Sequence, residues 1–221
     1  MKYYAIIVAG GSGSRMESDL PKQFLLLNGK PVLMHTLQAF LDCELKPEII
    51  LVLNIDFHQY WEKLCKDYQF HVPHMLVRAG KLRFDSVKNG LKGIKGSGII
   101  AVHDAVRPVI SKELITKSFL EAERMGNAVC AVQATDSIRR ESGDNSEAIN
   151  RETIYLVQTP QTFESGLLKR AYKQPYKVAF TDDATVVESL GIKINLIPGD
   201  RKNIKVTYLQ DLAVAELYLK K

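Results

Sequence analysis

Apolar residues fall along this chain in two alternating rhythms. Short runs rich in Ile and Val alternate with longer segments in which apolar positions recur every three or four residues. The first rhythm predicts strands from Tyr4 to Ala9, Ile49 to Leu53, Ile99 to His103, Val129 to Gln133 and Ile192 to Ile197. The second predicts helices from Val32 to Phe40, Tyr60 to Tyr68, Phe84 to Ile94, Lys112 to Arg124, Gly166 to Tyr172, Asp182 to Leu190 and Leu209 to Leu219. Strand and helix in turn are repeated βα units, so the expected fold class is α/β, with a doubly wound, mostly parallel sheet covered on both faces. One stretch departs from the pattern. Thr135 to Val157 is polar, carries Arg139, Arg140, Glu141, Asp144 and Glu147, and has Ser-Gly-Asp-Asn at its centre, which predicts a projecting β-hairpin arm. No repeat or low-complexity linker divides the chain, so residues 1–221 are expected to form one domain with 135–157 as its arm.

Composition narrows the class without choosing a function. The 221 residues are 46% apolar and 25% charged, ordinary values for a globular domain. Thirty Lys and Arg against twenty-five Asp and Glu give a formal charge of +5, which favours anionic partners of any kind. Cys43, Cys65 and Cys130 are odd in number and far apart, with no CxxC or metal-ligand spacing, and read as buried thiols in a reducing cytoplasm. The first apolar run breaks into Gly and Arg without a cleavage signal, and no segment approaches the roughly twenty apolar residues a membrane span needs, so a soluble protein is expected.

In an open parallel sheet ligands bind beyond the carboxyl ends of the strands, and here those positions carry chemistry. AGGSGSRM and then PKQ follow the first strand, HDAVRP follows the strand at Ile99, and GDRKNIKVT follows Ile197. Arg15, Lys22, Arg107 and Lys205 are thereby expected at one edge of the sheet with Asp104 among them, a site for a polyphosphate and a divalent cation. Gly10, Gly11 and Gly13 let the backbone turn sharply and present N–H groups to phosphate. Position 16 is Met, which breaks the dinucleotide fingerprint, and Gly29-Lys30 precedes Pro31, which breaks the P-loop pattern. Asp104 reads either as a helix cap or partner of Arg107, or as a carboxylate for Mg²⁺, an ion that completes its shell with phosphate and water oxygens. His103 ends an apolar strand and reads as a core residue, while Pro73 between His71 and His74 excludes a helical metal pair. Thr181 is expected to cap the helix that Asp182 and Asp183 open, or to contact substrate. No Ser/His/Asp, Cys/His or paired-carboxylate constellation appears. A phosphate nucleophile needs none, being largely ionised at pH 7.

AGGSGSRM, PKQ, AGKLRFDSV, VHDAVRP, QTPQ, TDDATVVE and NIKVT, in this order, resemble the 2-C-methyl-D-erythritol 4-phosphate cytidylyltransferases of non-mevalonate isoprenoid biosynthesis, from residue 4 to the C-terminus. The resemblance implies a Rossmann-like nucleotidyltransferase, cytoplasmic and homodimeric, that joins CTP to a sugar-alcohol phosphate and releases pyrophosphate. It implies nucleotide contacts from Ala9, Gly10, Gly11, Gly13, Gly80 and Ser86, and stabilisation of the α-phosphate by Arg15 and Lys22. Asp104 would bind Mg²⁺; Arg107 and Thr181 would line the acceptor pocket; Arg151 and Lys205 would position the acceptor phosphate. The arm would dimerise, so that Ser137 and Arg151 serve the neighbouring subunit's site.

The chain departs from the family in a few places. Ala79 stands where the family usually has a first glycine, Lys81 and Leu82 stand near its usual acidic residue, and Ser137 stands where many relatives have Thr. Val106 in HDAVRP is the residue common in ribitol 5-phosphate cytidylyltransferases, which share several of these blocks, whereas TDDATVVE and NIKVT point back to the isoprenoid enzymes. A non-catalytic nucleotide-binding protein on the same fold is the alternative of another class. A nucleic-acid binder is disfavoured, because the basic residues sit at separate strand ends without aromatics interleaved.

Overall fold

The computed structural model describes residues 1–11 and 20–220. In chain order the elements are β1 (Tyr3–Ala9), β2 (Leu26–Leu27), β3 (Lys30–Pro31), α1 (Val32–Leu41), β4 (Glu48–Leu53), α2 (His58–Asp67), β5 (Met75–Arg78), α3 (Arg83–Lys92) and β6 (Ile99–Asp104). Then come α4 (Lys112–Met125), β7 (Asn127–Gln133), β8 (Ile138–Ser142), β9 (Asn145–Ile149), β10 (Tyr155–Glu164), α5 (Ser165–Ala171), α6 (Asp183–Glu188), β11 (Leu196–Pro198) and α7 (Leu209–Leu219).

The central sheet has seven strands in the order β11-β7-β10-β6-β1-β4-β5. β1 pairs in parallel with β4 and β6, β4 with β5, and β7 with β11; β10 runs antiparallel between β6 and β7. The two-residue period of the strands sorts their side chains into two cores. Ala5, Ile7 and Ala9 of β1, Ile49, Leu51 and Leu53 of β4, and Ile99 and Ala101 of β6 join the core that includes Leu33, Leu37 and Phe40 of α1 and Ile115 and Phe119 of α4. Their neighbours Ile6, Ile50, Val52, Ile100 and Val102 join the opposite core with Phe84 and Val87 of α3, Leu168 of α5 and Val187 of α6. A sheet buried on both faces needs continuous apolar runs, which is why the strand signal is strong for β1, β4 and β6.

Several elements differ from the sequence pattern. Residues 192–195 lack strand pairing and β11 covers only Leu196–Pro198, where it pairs with Cys130 and its neighbours. β5 and the ten-residue β10 carry Gln, Thr and Pro or too few apolar positions to stand out, yet tertiary pairing makes both strands. The arm is narrower than Thr135 to Val157. Its hairpin is β8–β9, an isolated two-stranded sheet turning at Gly143 with φ +58°, whereas Tyr155, Leu156 and Val157 pair with β7 in the central sheet. The N-cap of α6 is Asp182, whose carboxylate accepts from Thr185 N at 2.8 Å, and Thr181 stands outside the helix. Cys43 and Cys130 are buried thiols as expected, Cys65 partly so, and burial pushes Cys130 up to about 12. No helix among the described residues is long and apolar enough to cross a membrane.

Candidate active site

From β1 the chain runs to β4 and β5 on one side and then returns to β6 on the other, so the strand order reverses beside β1. A crevice opens at such a reversal, outside the carboxyl ends of the strands. Here it is a cavity of about 800 Å³, and each of those strand ends contributes: Ala9, Gly10 and Gly11 after β1, Asn54 after β4, Arg78 to Leu82 after β5, and Asp104 and Val106 at β6.

The glycines are demanded by close approach. A Cβ on Gly10 would lie 2.8 Å from Ala79 Cβ and 3.2 Å from Ser86 Oγ, and one on Gly80 would collide with Asp85. Ser86 Oγ accepts from Gly80 N and donates to Leu82 O, each at 3.0 Å, which fixes the turn from β5 into α3. Ala79 N donates to Leu53 O at 2.8 Å, and Gln23 Nε2 to Ala9 O at 2.9 Å, tying the segment that carries Lys22 to the end of β1.

Asp104 is the electrostatic centre. Lys205 Nζ stands 2.9 Å from its Oδ2, Arg107 Nε 3.8 Å from the same oxygen, and Arg83 Nε 3.5 Å from Oδ1. Burial alone would raise its pKa, but Arg83, Lys205 and Arg107 outweigh that and hold the carboxyl well below the usual range, so it is ionised at neutral pH. Lys205 comes from a hundred residues away because its loop is pinned at two points. Val206 N donates to Val106 O at 2.8 Å, and Asn203 Nδ2 donates to Thr159 O at 2.7 Å, while Thr159 Oγ1 accepts from Asp104 N. Arg107 is buried behind Asp104 and donates Nη1 to Asn203 O at 2.8 Å. His103 is a wholly buried core residue, as its position predicts; its Nε2 lies 3.3 Å from Arg107 O and burial lowers it to about 4, so it stays neutral.

The structure therefore brings together Ala9, Gly10, Gly11, Lys22, Gly80, Ser86, Asp104 and Lys205 around one cavity. Gly13 and Arg15 lie outside the described residues. Thr181, Ser137 and Arg151 are exposed and do not line the cavity of their own chain, and Arg151 donates Nη1 to Thr135 O at 2.7 Å at the base of the arm. Arg83, Arg78 and Lys81 line the cavity as well, although sequence reasoning named none of them as a site residue and noted Lys81 only as a departure from the family. Arg83 was within reach of such reasoning, because it opens a helix directly after the Gly80 turn. Among the described lining residues five are cations, namely Lys22, Arg78, Lys81, Arg83 and Lys205, against the single carboxylate of Asp104. That imbalance suits a highly charged anion.

No group of three or more His, Cys, Asp or Glu that could cage a metal occurs among the described residues. The donor set instead fits a hard cation of the Mg²⁺ type, which takes one or two carboxylates and completes its shell with phosphate and water oxygens. Among the described residues that line the cavity, Asp104 supplies the one carboxylate such a cation would need.

The chain is similar to known proteins over almost its whole length. The family profile described as 2-C-methyl-D-erythritol 4-phosphate cytidylyltransferase matches residues 3–221. A protein of that description from Bacteroides fragilis is 46% identical over 97% of this chain and 98% of its own length. Another from Porphyromonas gingivalis is 48% identical over 99% of this chain and 98% of its own. Among solved structures, 4-diphosphocytidyl-2C-methyl-D-erythritol synthase of Anaerococcus prevotii superposes with a TM-score of 0.85 at 28% identity, covering all of this chain and 96% of the other. A 2-C-methyl-D-erythritol 4-phosphate cytidylyltransferase of Thermus thermophilus gives 0.80 at 29% identity, covering 98% of both.

Proposed function

The chain belongs to the 2-C-methyl-D-erythritol 4-phosphate cytidylyltransferase family, and from that premise we propose how its residues join CTP to the acceptor phosphate. The reaction forms a bond between an acceptor phosphate oxygen and the α-phosphorus of CTP, and breaks the bond from that phosphorus to the oxygen bridging to the β-phosphate. Pyrophosphate leaves with those electrons. The product is the CDP-alcohol of isoprenoid precursor biosynthesis. No base is required, because the attacking phosphate is largely ionised, its second pKa being about 6. The barrier is repulsion between anions, and cations aimed at the reacting phosphates lower it.

The observation that carries this reading is the meeting of Lys22, Lys205 and Asp104 with the Gly10–Gly11 and Gly80 turns around one cavity. Ala9, Gly10, Gly11, Gly80 and Ser86 hold the nucleotide, and the resemblance alone adds Gly13. Lys22 faces the α-phosphate, a role the resemblance alone assigns to Arg15 as well, and Lys205 orients the acceptor phosphate for in-line attack. Asp104 would hold Mg²⁺, which would supply neutralisation of phosphate charge. The resemblance assigns Arg107 and Thr181 to the acceptor; in this chain Arg107 would act from its buried position behind Asp104, and Thr181 stands off the cavity lining. The arm makes a cytoplasmic homodimer in which Ser137 and Arg151 complete the neighbouring site. Two facts support this: the β8–β9 sheet stands apart from the central one, and both residues lie off the cavity of their own chain.

Pyrophosphate release from CTP and Mg²⁺ with 2-C-methyl-D-erythritol 4-phosphate tests the proposal, with ribitol 5-phosphate run beside it because Val106 lines the cavity. Release with the first acceptor is expected; release with neither overturns the reading. Lys22→Ala is expected to lower kcat by about 100-fold or more while changing KM little, as for a group whose charge matters in the transition state. A change confined to KM removes that role.

A further inference from the structure

At the cavity wall, Arg83 is held between two carboxylates at unequal distances. Its Nη2 donates to Asp183 Oδ2 at 2.7 Å, whereas its Nε stands 3.5 Å from Asp104 Oδ1, beyond the usual hydrogen-bond range. Asp183 is wholly buried on the first turn of α6, and its other oxygen accepts from Tyr172 Oη at 2.6 Å. Tyr172, itself 2% exposed, stacks on Phe84 with ring centroids 4.8 Å apart, which places the hydroxyl rigidly. The helix that presents Asp183 is fixed too, since Gln161 of β10 donates to Asp182 Oδ2 and accepts from Ala184 N, both at 2.8 Å.

A free arginine beside an ionised carboxylate closes into a bidentate pair with contacts of about 2.7–2.9 Å, because the guanidinium fork matches the two oxygens. Arg83 does not close on Asp104, and Asp183 supplies the reason. We propose that Asp183, fixed by Tyr172, tethers Arg83 away from Asp104 and so keeps Asp104 Oδ1 open to a divalent cation. Asp183 and Tyr172 are thus positioning residues for the metal site, acting through Arg83. The inference rests on the reading of Asp104 as the metal's carboxylate. It gives a reason for a wholly buried acidic residue bonded to Arg83. With Asp183 present, Arg83 lends the cavity its charge without occupying the carboxylate. With Asp183 neutralised, the nearest anion for Arg83 is Asp104, and a bidentate pair there competes with the cation.

The test measures Mn²⁺ binding to the full-length protein in the presence of CTP, by the loss of the free-ion electron paramagnetic resonance signal. Asp183→Asn keeps the side-chain volume and is expected to weaken Mn²⁺ binding about tenfold, while CTP affinity without metal changes less than about threefold. Tyr172→Phe is expected to give a smaller loss in the same direction. The decisive variant is Arg83→Gln in the Asp183→Asn background, which removes the competing cation and is expected to restore Mn²⁺ binding toward the wild-type value. A merely structural role for Asp183 predicts no such rescue. Wild-type Mn²⁺ affinity in Asp183→Asn, or failure of the double variant to regain it, overturns the tether. Wild-type affinity in Asp104→Asn overturns the underlying assignment of the metal carboxylate, a separate outcome. Should Asp183→Asn not fold, as judged by circular dichroism, Tyr172→Phe with and without Arg83→Gln decides the matter by the same comparison.

Discussion

Gly80 shows how closely the nucleotide side of the site is specified at single positions. Its φ demands nothing unusual; the constraint is space, because a Cβ there would collide with Asp85 Cβ and come within 2.9 Å of the Asp85 carbonyl carbon. Backbone cannot yield as a flexible side chain can, so Gly80→Ala is expected to cost about 1–3 kcal/mol of stability, in the range of overpacked sites. It is also expected to raise KM for CTP, since the same turn lines the cavity. Urea unfolding and steady-state kinetics check the two arms, and an unchanged KM with unchanged stability would contradict the packing argument. Asp104 shows the complementary lesson. Its meaning lies in Lys205, Arg83 and Arg107, none nearer in sequence than three residues, and charge at this position is intelligible only as part of that group.

At the scale of elements, α5 offers a clean case of a short helix held by its first residue. Glu164 at the N-cap accepts from Gly166 N and Leu167 N, each at 2.8 Å, satisfying two amide donors that the helix itself leaves unpaired. Burial would raise its pKa, but those two amides, Ser165 and Lys169 together draw it below 4.5. The folded state therefore prefers the carboxylate. Its contribution is complete above pH 4.5 and fades as pH falls through the lowered folded value. Glu164→Ala is expected to lower stability by about 1 kcal/mol at pH 7. The gap between the two proteins should narrow toward pH 3, and urea midpoints measured across that range test it. A gap that stays constant or widens in acid would count against the cap.

At the scale of the molecule, the proposed dimer would join the arm of one copy to the site of another. The β8–β9 hairpin is exposed along almost its whole length, and an isolated two-stranded sheet is marginal in water. A second copy would supply the missing cover. Replacing residues 138–149 by a short Gly/Ser turn is expected to halve the mass seen in sedimentation and to lower kcat/KM for the acceptor by about tenfold or more, since Arg151 and Ser137 lose their places. A dimer that survives the deletion with full activity would overturn the arm's role. What the chain's pattern determined alone is considerable. Continuous apolar runs buried on both faces fixed β1, β4 and β6, and residues in contiguous motifs, Gly10, Gly11 and Lys22 after β1 and Gly80 and Ser86 around the turn after β5, were legible because local backbone geometry dictates them. β10 was not legible, for its strand character comes from neighbours on both sides and not from its own polar sequence. Nor was the bond from Arg83 to Asp183, a hundred residues apart, whereas the meeting of Lys205 with Asp104 at one sheet edge was expected from the strand ends and only its 2.9 Å contact came from the fold. Local sequence sets backbone preference and which face is apolar; only the closed sheet, by bringing distant loops to one rim, decides which charges meet.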